Sequence, residues 1–207
     1  MNTNMQMHNL IILDESGSME EIRDFIIKGF NEIVQTLKGM EKQFPEQEHF
    51  VSFITFNGLR INVIHFMEPV RSLNELNTAS YLPNSSTPLF DAMGVGLNMM
   101  RKALAGQDNY DVSVTILTDG MENSSKEYTA TAINRLVEEL KKGNWSFKYI
   151  GADHDVQRAA ELLSIDVIKN FKENPKIFRS LFSIESSDIF QYYSNLHKKN
   201  AKKSSSN

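Results

Sequence analysis

Four consecutive apolar residues, Leu10-Ile11-Ile12-Leu13, offer both faces of an extended segment to burial. A strand that is apolar on both faces belongs in the middle of a sheet covered on both sides, the situation of parallel α/β proteins. The rest of the chain agrees. Short strand-like apolar runs alternate with segments of helical period, which predicts an α/β fold around a mostly parallel sheet.

From Glu20 to Leu37 the apolar positions Ile22, Phe25, Ile26, Phe30, Ile33, Val34 and Leu37 recur at spacings of three and four, which predicts an amphipathic helix. Two further runs, Phe50 to Phe56 and Arg60 to Phe66, flank Asn57-Gly58 and are expected to pair antiparallel as a hairpin. A Pro/Ser/Asn-rich loop, about 68–88, leads to a helix starting near Thr87 or Pro88, with Leu89, Met93, Leu97, Met100 and Leu104 inward. Val112 to Leu117 reads as another buried strand. A helix from about Lys126 to Lys142 should bury Ala132, Ile133, Leu136, Val137 and Leu140 and end at Gly143 as its C-cap. Trp145 to Ile150 is a further strand, followed by a short helix near Val156 to Leu163 and a short strand near Val167. Helical segments are expected over Pro175–Phe182 and Ser187–Leu196. The organisation read from this is one domain over 1–168, a helical extension over 169–197 packed on it, and a disordered basic tail over 198–207.

Composition narrows the function classes. The net charge is −4, yet the tail from Lys198 carries four lysines and no acid; without it the balance is 18 basic against 26 acidic residues. An acidic body argues against nucleic acid as partner, because phosphate binding needs clustered Lys and Arg. The chain has no cysteine, which excludes disulfides and thiolate metal sites and suits a reducing compartment. Met1 to Gln6 is polar and uncharged, and no apolar run approaches the length of a membrane span. A soluble, cytoplasmic chain with no membrane partner, monomeric when alone, is the expectation.

Three polar clusters stand where strands end or a helix begins: Asp14/Ser16/Ser18, Thr87 and Asp119. Ligands of open α/β sheets bind beyond the carboxyl ends of the strands, where strand order reverses. If the strands bearing Asp14 and Asp119 are neighbours there, both carboxylates reach one crevice. A carboxylate with hydroxyls is a set of hard oxygens, suited to Mg²⁺, Ca²⁺ or Mn²⁺ rather than to zinc or copper.

Asp14-x-Ser16-x-Ser18, then Thr87-Pro88-Leu89-Phe90-Asp91-Ala92, then Thr118-Asp119-Gly120 resemble the three segments of the metal-ion-dependent adhesion site of von Willebrand factor A domains. The resemblance covers about Asn4 to Val167. It implies a Rossmann-like, doubly wound, mostly parallel sheet with one antiparallel edge strand and helices on both faces. It implies that Ser16, Ser18 and Thr87 offer hydroxyl oxygens to Mg²⁺ (or Mn²⁺ or Ca²⁺), while Asp14 and Asp119 act mainly through bound waters and by holding the hydroxyls. The loop Gly151-Ala152-Asp153-His154-Asp155 is similar to one in compact, stand-alone bacterial members. Neutral hydroxyl ligands leave a cation much of its field, so a protein partner's Asp or Glu can replace a water and complete the octahedron. The implied function is a non-enzymatic, cation-dependent protein-binding module.

Plainer readings stand beside these. Asp14, Ser16 and Ser18 before a helix, with Glu20 and Glu21, would serve as an N-cap, and Thr87 before Pro88 likewise. Asp119-Gly120 alone would pass as a turn. Asp91 is read as structural, accepting from loop amides. Asp153, His154 and Asp155 are read as a turn capping the next helix, and the five histidines lack paired zinc spacing. Among functions, the alternatives are a metal-assisted phosphohydrolase or phosphotransferase using Asp14, and a scaffold with a vestigial metal site. The first is disfavoured because Ser16 stands where such enzymes carry a second acid and no lysine stands at a matching strand end.

Overall fold

The computed structural model describes residues 5–118, 122–151, 156–165, 167–170 and 191. Among these residues the sheet has six strands in the order β3-β2-β1-β4-β5-β6: β1 (Met5–Asp14), β2 (Gln47–Asn57), β3 (Arg60–Pro69), β4 (Tyr110–Thr118), β5 (Trp145–Gly151) and β6 (Val167–Asn170). β1 pairs in parallel with both β2 and β4, β5 joins β4 and β6 joins β5 in parallel, and only β3 runs antiparallel, at an edge against β2. The doubly wound sheet with one antiparallel edge is therefore as expected. Strand order reverses between β1 and β4, so their carboxyl ends open the crevice at which α/β sheets take ligands.

Alternation along β1 explains why it must be central. Met7, Ile11 and Leu13 join one core, under α1 (Arg23–Gln43), with Ile26, Phe30, Ile33, Val34, Leu37 and Met40. Leu10 and Ile12 join the other, under α2 (Leu89–Ala103), α3 (Ala130–Leu140) and α4 (Val156–Leu162). No described helix is long and apolar enough to cross a membrane.

The expected elements are present with informative shifts. Gly17–Ile22 forms a 3₁₀ turn in which Met19 N donates to Ser16 O (3.1 Å), and α1 starts only at Arg23. The tight turn drops Met19 into the core while Ser18 stays exposed. The helix then continues past Leu37 to Gln43, because Met40 prolongs the buried stripe. α3 begins at Ala130 rather than Lys126. The amides of Lys126, Glu127 and Tyr128 donate to the Asp91 carboxylate instead, and Thr129 caps the helix by accepting from Ala132 N. Ala132 lies on the exposed side. Gly143 donates to Leu140 O at 2.9 Å but does not take the left-handed conformation of a glycine C-cap; the cap residue is Lys141.

The β2–β3 hairpin turns on Gly58-Leu59, yet neither residue has positive φ. Asn57 Oδ1 holds the turn by accepting from Leu59 N (3.0 Å) and Arg60 N (3.2 Å). At position 58 the absence of a side chain permits a close approach. A Cβ there would stand 2.6 Å from the Ser85 hydroxyl and 3.0 Å from Ser86 N, so the hairpin tip lies on the loop leading to Thr87. The helical segments expected over Pro175–Phe182 and Ser187–Leu196, the basic tail, and Asp119, Asp153, His154 and Asp155 lie outside the described residues, Gln191 apart.

Candidate metal centre

Asp14 ends β1 and is fully buried. Each of its oxygens has a donor from the protein. Ser16 N donates to Oδ1 (2.7 Å), folding the turn back on the carboxylate, and Thr118 Oγ1 from β4 donates to Oδ2 (2.6 Å). The Tyr81 hydroxyl donates to the Asp14 carbonyl at 2.5 Å. Asp14 is thus an organiser of the turn, with its charge held in place by neutral donors.

The turn brings Ser16 Oγ and Ser18 Oγ to 3.3 Å from each other. Adjacent ligands of an octahedral cation are about 3 Å apart at the Mg–O bond length and about 3.4 Å at that of Ca²⁺, so this pair suits a hard divalent cation. Among the described residues no three His, Cys, Asp or Glu side chains gather to hold a metal. Zinc and copper, which favour nitrogen and sulfur, fit this donor set poorly.

Thr87 is buried at the entrance to α2. Two sets of contacts place its segment. On one side Gly17 N donates to Ser85 O (3.0 Å) and Asn84 N to Glu15 O (2.8 Å), fastening the loop to the Asp14–Ser18 turn. On the other, Thr87 N donates to Asn123 Oδ1 (2.9 Å) and Asn123 N to Thr87 O (3.2 Å). Asn123 follows β4, whose last residue Thr118 holds Asp14. Asp119 lies outside the described residues, but Thr118, directly before it, ends the strand beside β1. The structure therefore brings Asp14, Ser16 and Ser18 into one turn, with Thr87 on the loop bound to it.

Several residues that build this site carried no sequence signal. Glu15 is only 1% exposed; it accepts from Leu82 N (2.8 Å) and Thr55 Oγ1 (3.2 Å) and lies 3.7 Å from the Arg60 guanidinium. Glu122 accepts from Ser124 N, Ser125 N, Ser125 Oγ and Phe90 N, capping the start of α2. Burial, with the Asp14 and Glu122 charges in range, pushes the Tyr149 phenol far above its ordinary value, so it stays protonated beneath the site. Apart from Ser124 and Ser125 beside Glu122, these partners come from distant segments. Only the sequence adjacency of Glu15 to Asp14, and of Glu122 and Asn123 to Asp119, could have pointed to any of them.

Solved structures share the architecture. The von Willebrand factor domain of the type V pili tip protein Mfa5 from Porphyromonas gingivalis superposes with a TM-score of 0.60 at 11% identity, covering 90% of this chain and 95% of that one. The SpRpn10 VWA domain matches with a TM-score of 0.53 at 13% identity, over 86% and 93% of the two chains. Proximal thread matrix protein 1 from the mussel byssus gives 0.55 at 12% identity; 89% of this chain is covered but only 46% of the mussel protein, so this chain spans about half of its length. No curated protein matches the chain in sequence. The family model for the von Willebrand factor type A domain matches residues 10–187. With that match over most of its length, the chain belongs to the von Willebrand factor type A domain family.

Proposed function

We propose that this chain is a divalent-cation-dependent protein-binding module whose Mg²⁺ (or Mn²⁺ or Ca²⁺) takes an Asp or Glu side chain of a partner protein. Domains of this family are in general interaction modules rather than catalysts. The observation that carries the reading is the pair of hydroxyls, Ser16 and Ser18, 3.3 Å apart at the switch point of the sheet. Ser16, Ser18 and Thr87 would contact the cation, and Asp14 and Asp119 would act through water. Both Asp14 oxygens already accept from protein donors, which fits a supporting role. When bound, the cation supplies a positive, exchangeable position for a carboxylate. The chain contributes a preset turn, and burial of Asp14, Ser16 and Thr87 keeps bulk water from competing with their geometry.

Titration calorimetry with Mg²⁺, Mn²⁺ and Ca²⁺ tests the cation, and retention of a partner with and without EDTA tests its use. Asp14→Ala and Asp119→Ala are expected to lose both cation and partner binding. Wild-type protein that binds none of the three cations would remove the proposal. Hydrolysis of a generic phosphate ester with Mg²⁺, abolished by Asp14→Asn, would replace it with an enzymatic function.

A further inference from the structure

Glu15 is the residue inside the Asp14–Ser18 turn whose side chain points away from the hydroxyl pair and into the protein. A carboxylate almost never sits fully buried unless its oxygens are taken up, and here they are. Oε1 accepts from Leu82 N (2.8 Å), on the loop that runs to Thr87. Oε2 accepts from Thr55 Oγ1 on β2 (3.2 Å) and lies 3.7 Å from Arg60 Nη2, the first residue of β3. The backbone of the same residue adds two more ties. Glu15 N donates to Phe56 O (2.7 Å), and Glu15 O accepts from Asn84 N (2.8 Å). The hairpin tip then closes the circuit, because Gly58 lies so close to Ser85 and Ser86 that a Cβ there would crowd both serine hydroxyls and Ser86 N. Ser85 itself has φ 69°, a left-handed conformation unusual for serine, and its carbonyl accepts from Gly17 N. A residue held in that conformation two positions before Thr87 has to be kept there by its surroundings.

We propose that Glu15 is a positioning residue for the metal centre, holding the Thr87-bearing loop against the Ser16–Ser18 turn and linking both to the tip of the β2–β3 hairpin. The inference rests on the cation-binding reading above. Its physical content is that a carboxylate with donors on three segments sets their distance from its own turn, and that hydroxyl ligands on that turn and on one of those segments bind a cation well only at the correct separation.

The test compares cation affinity, by calorimetry with Mn²⁺ and Mg²⁺, with thermal stability measured in EDTA. Glu15→Ala is expected to weaken cation binding by about tenfold or more, as removal of groups that orient metal ligands commonly does. Glu15→Gln retains an oxygen for Leu82 N and is expected to recover most of that affinity. Gly58→Ala presses on Ser86 N from the hairpin side and is expected to weaken cation binding while leaving the fold intact. It keeps the test decisive if Glu15→Ala fails to fold. Variants that melt earlier in EDTA yet bind cation as the wild type does would reduce Glu15 to a structural residue and overturn the inference alone. Wild-type protein that binds neither cation would overturn the functional reading and this inference with it.

Discussion

At Asp14 the two carboxylate oxygens serve different parts of the molecule: Oδ1 closes the turn through Ser16 N, and Oδ2 reaches across to Thr118 on the neighbouring strand. The second bond joins the two strands at the switch point. Thr118→Val keeps the shape of the side chain and removes its hydroxyl, leaving a buried carboxylate oxygen short of a donor. A stability loss of about 1–3 kcal/mol is expected in urea unfolding with EDTA present. Cation affinity should fall with it if Asp14 must be held for the hydroxyls to be placed. The turn that gathers Asp14, Ser16 and Ser18 was legible in the sequence, since the three are near neighbours and a turn after a buried strand has few ways to arrange them. The residues that hold the turn were not. Thr118, Tyr81 and Leu82 lie 67 to 104 positions from their partners in the turn, and no local pattern encodes such pairings.

Among the elements, α2 and the loop after β4 cap one another. Asp91 in the first turn of α2 accepts from Lys126 N, Glu127 N and Tyr128 N, while Glu122 and Ser125 accept from Phe90 N and Asp91 N. Asp91 is therefore the structural acceptor of loop amides that its position suggested. Asp91→Ala should cost about 2 kcal/mol or more, because several amides lose one charged acceptor together; Asp91→Asn should restore part of it. One turn further on, Gly94 faces the Tyr128 ring, and a Cβ there would stand 2.5 Å from it. Gly94→Ala is expected to destabilise by about 1–3 kcal/mol through overpacking, despite alanine's better helix propensity, as denaturant titration would register. The same exchange of caps explains the late start of α3. The apolar period of that helix was readable from Ile133 onward, but the competition for the amides of Lys126 to Tyr128 was decided by a carboxylate from another element.

At the scale of the whole molecule, both cores depend on strands buried on two faces, and the lower end of the sheet buries two histidines. His8 stacks on Phe50 with ring centroids 5.0 Å apart, and His49 lies within hydrogen-bond range of Gln47. Burial lowers each from 6.5 to about 4. A base whose pKa is lowered by folding is protonated first in the unfolded chain. Its neutral form therefore supports the fold fully above about pH 6.5, and that support is lost as pH falls from there toward 4. Each histidine should remove about 1.4 kcal/mol per pH unit in that window. Unfolding in EDTA at pH 7 and pH 4.5 checks this, and His8→Gln with His49→Gln should flatten the difference. Beneath α2, Leu97→Ala should cost about 2–5 kcal/mol, since Leu97 is fully buried between α2 and the sheet.

The sequence by itself determined the layer structure, the hairpin and the Asp14–Ser18 turn, because each follows from periodicity or adjacency over a few residues. Apolar runs on two faces demand helices on both sides of a sheet, and Asn57-Gly58 between two strands demands a reversal. Tertiary structure alone decided that Gly58 approaches Ser85 and Ser86 closely, and that Glu15 is buried among Thr55, Arg60 and Leu82. It alone decided that Thr118 and Asn123 tie the three loops of the centre together. These are contacts between segments far apart in the chain, created only when the sheet brings its carboxyl ends to one edge.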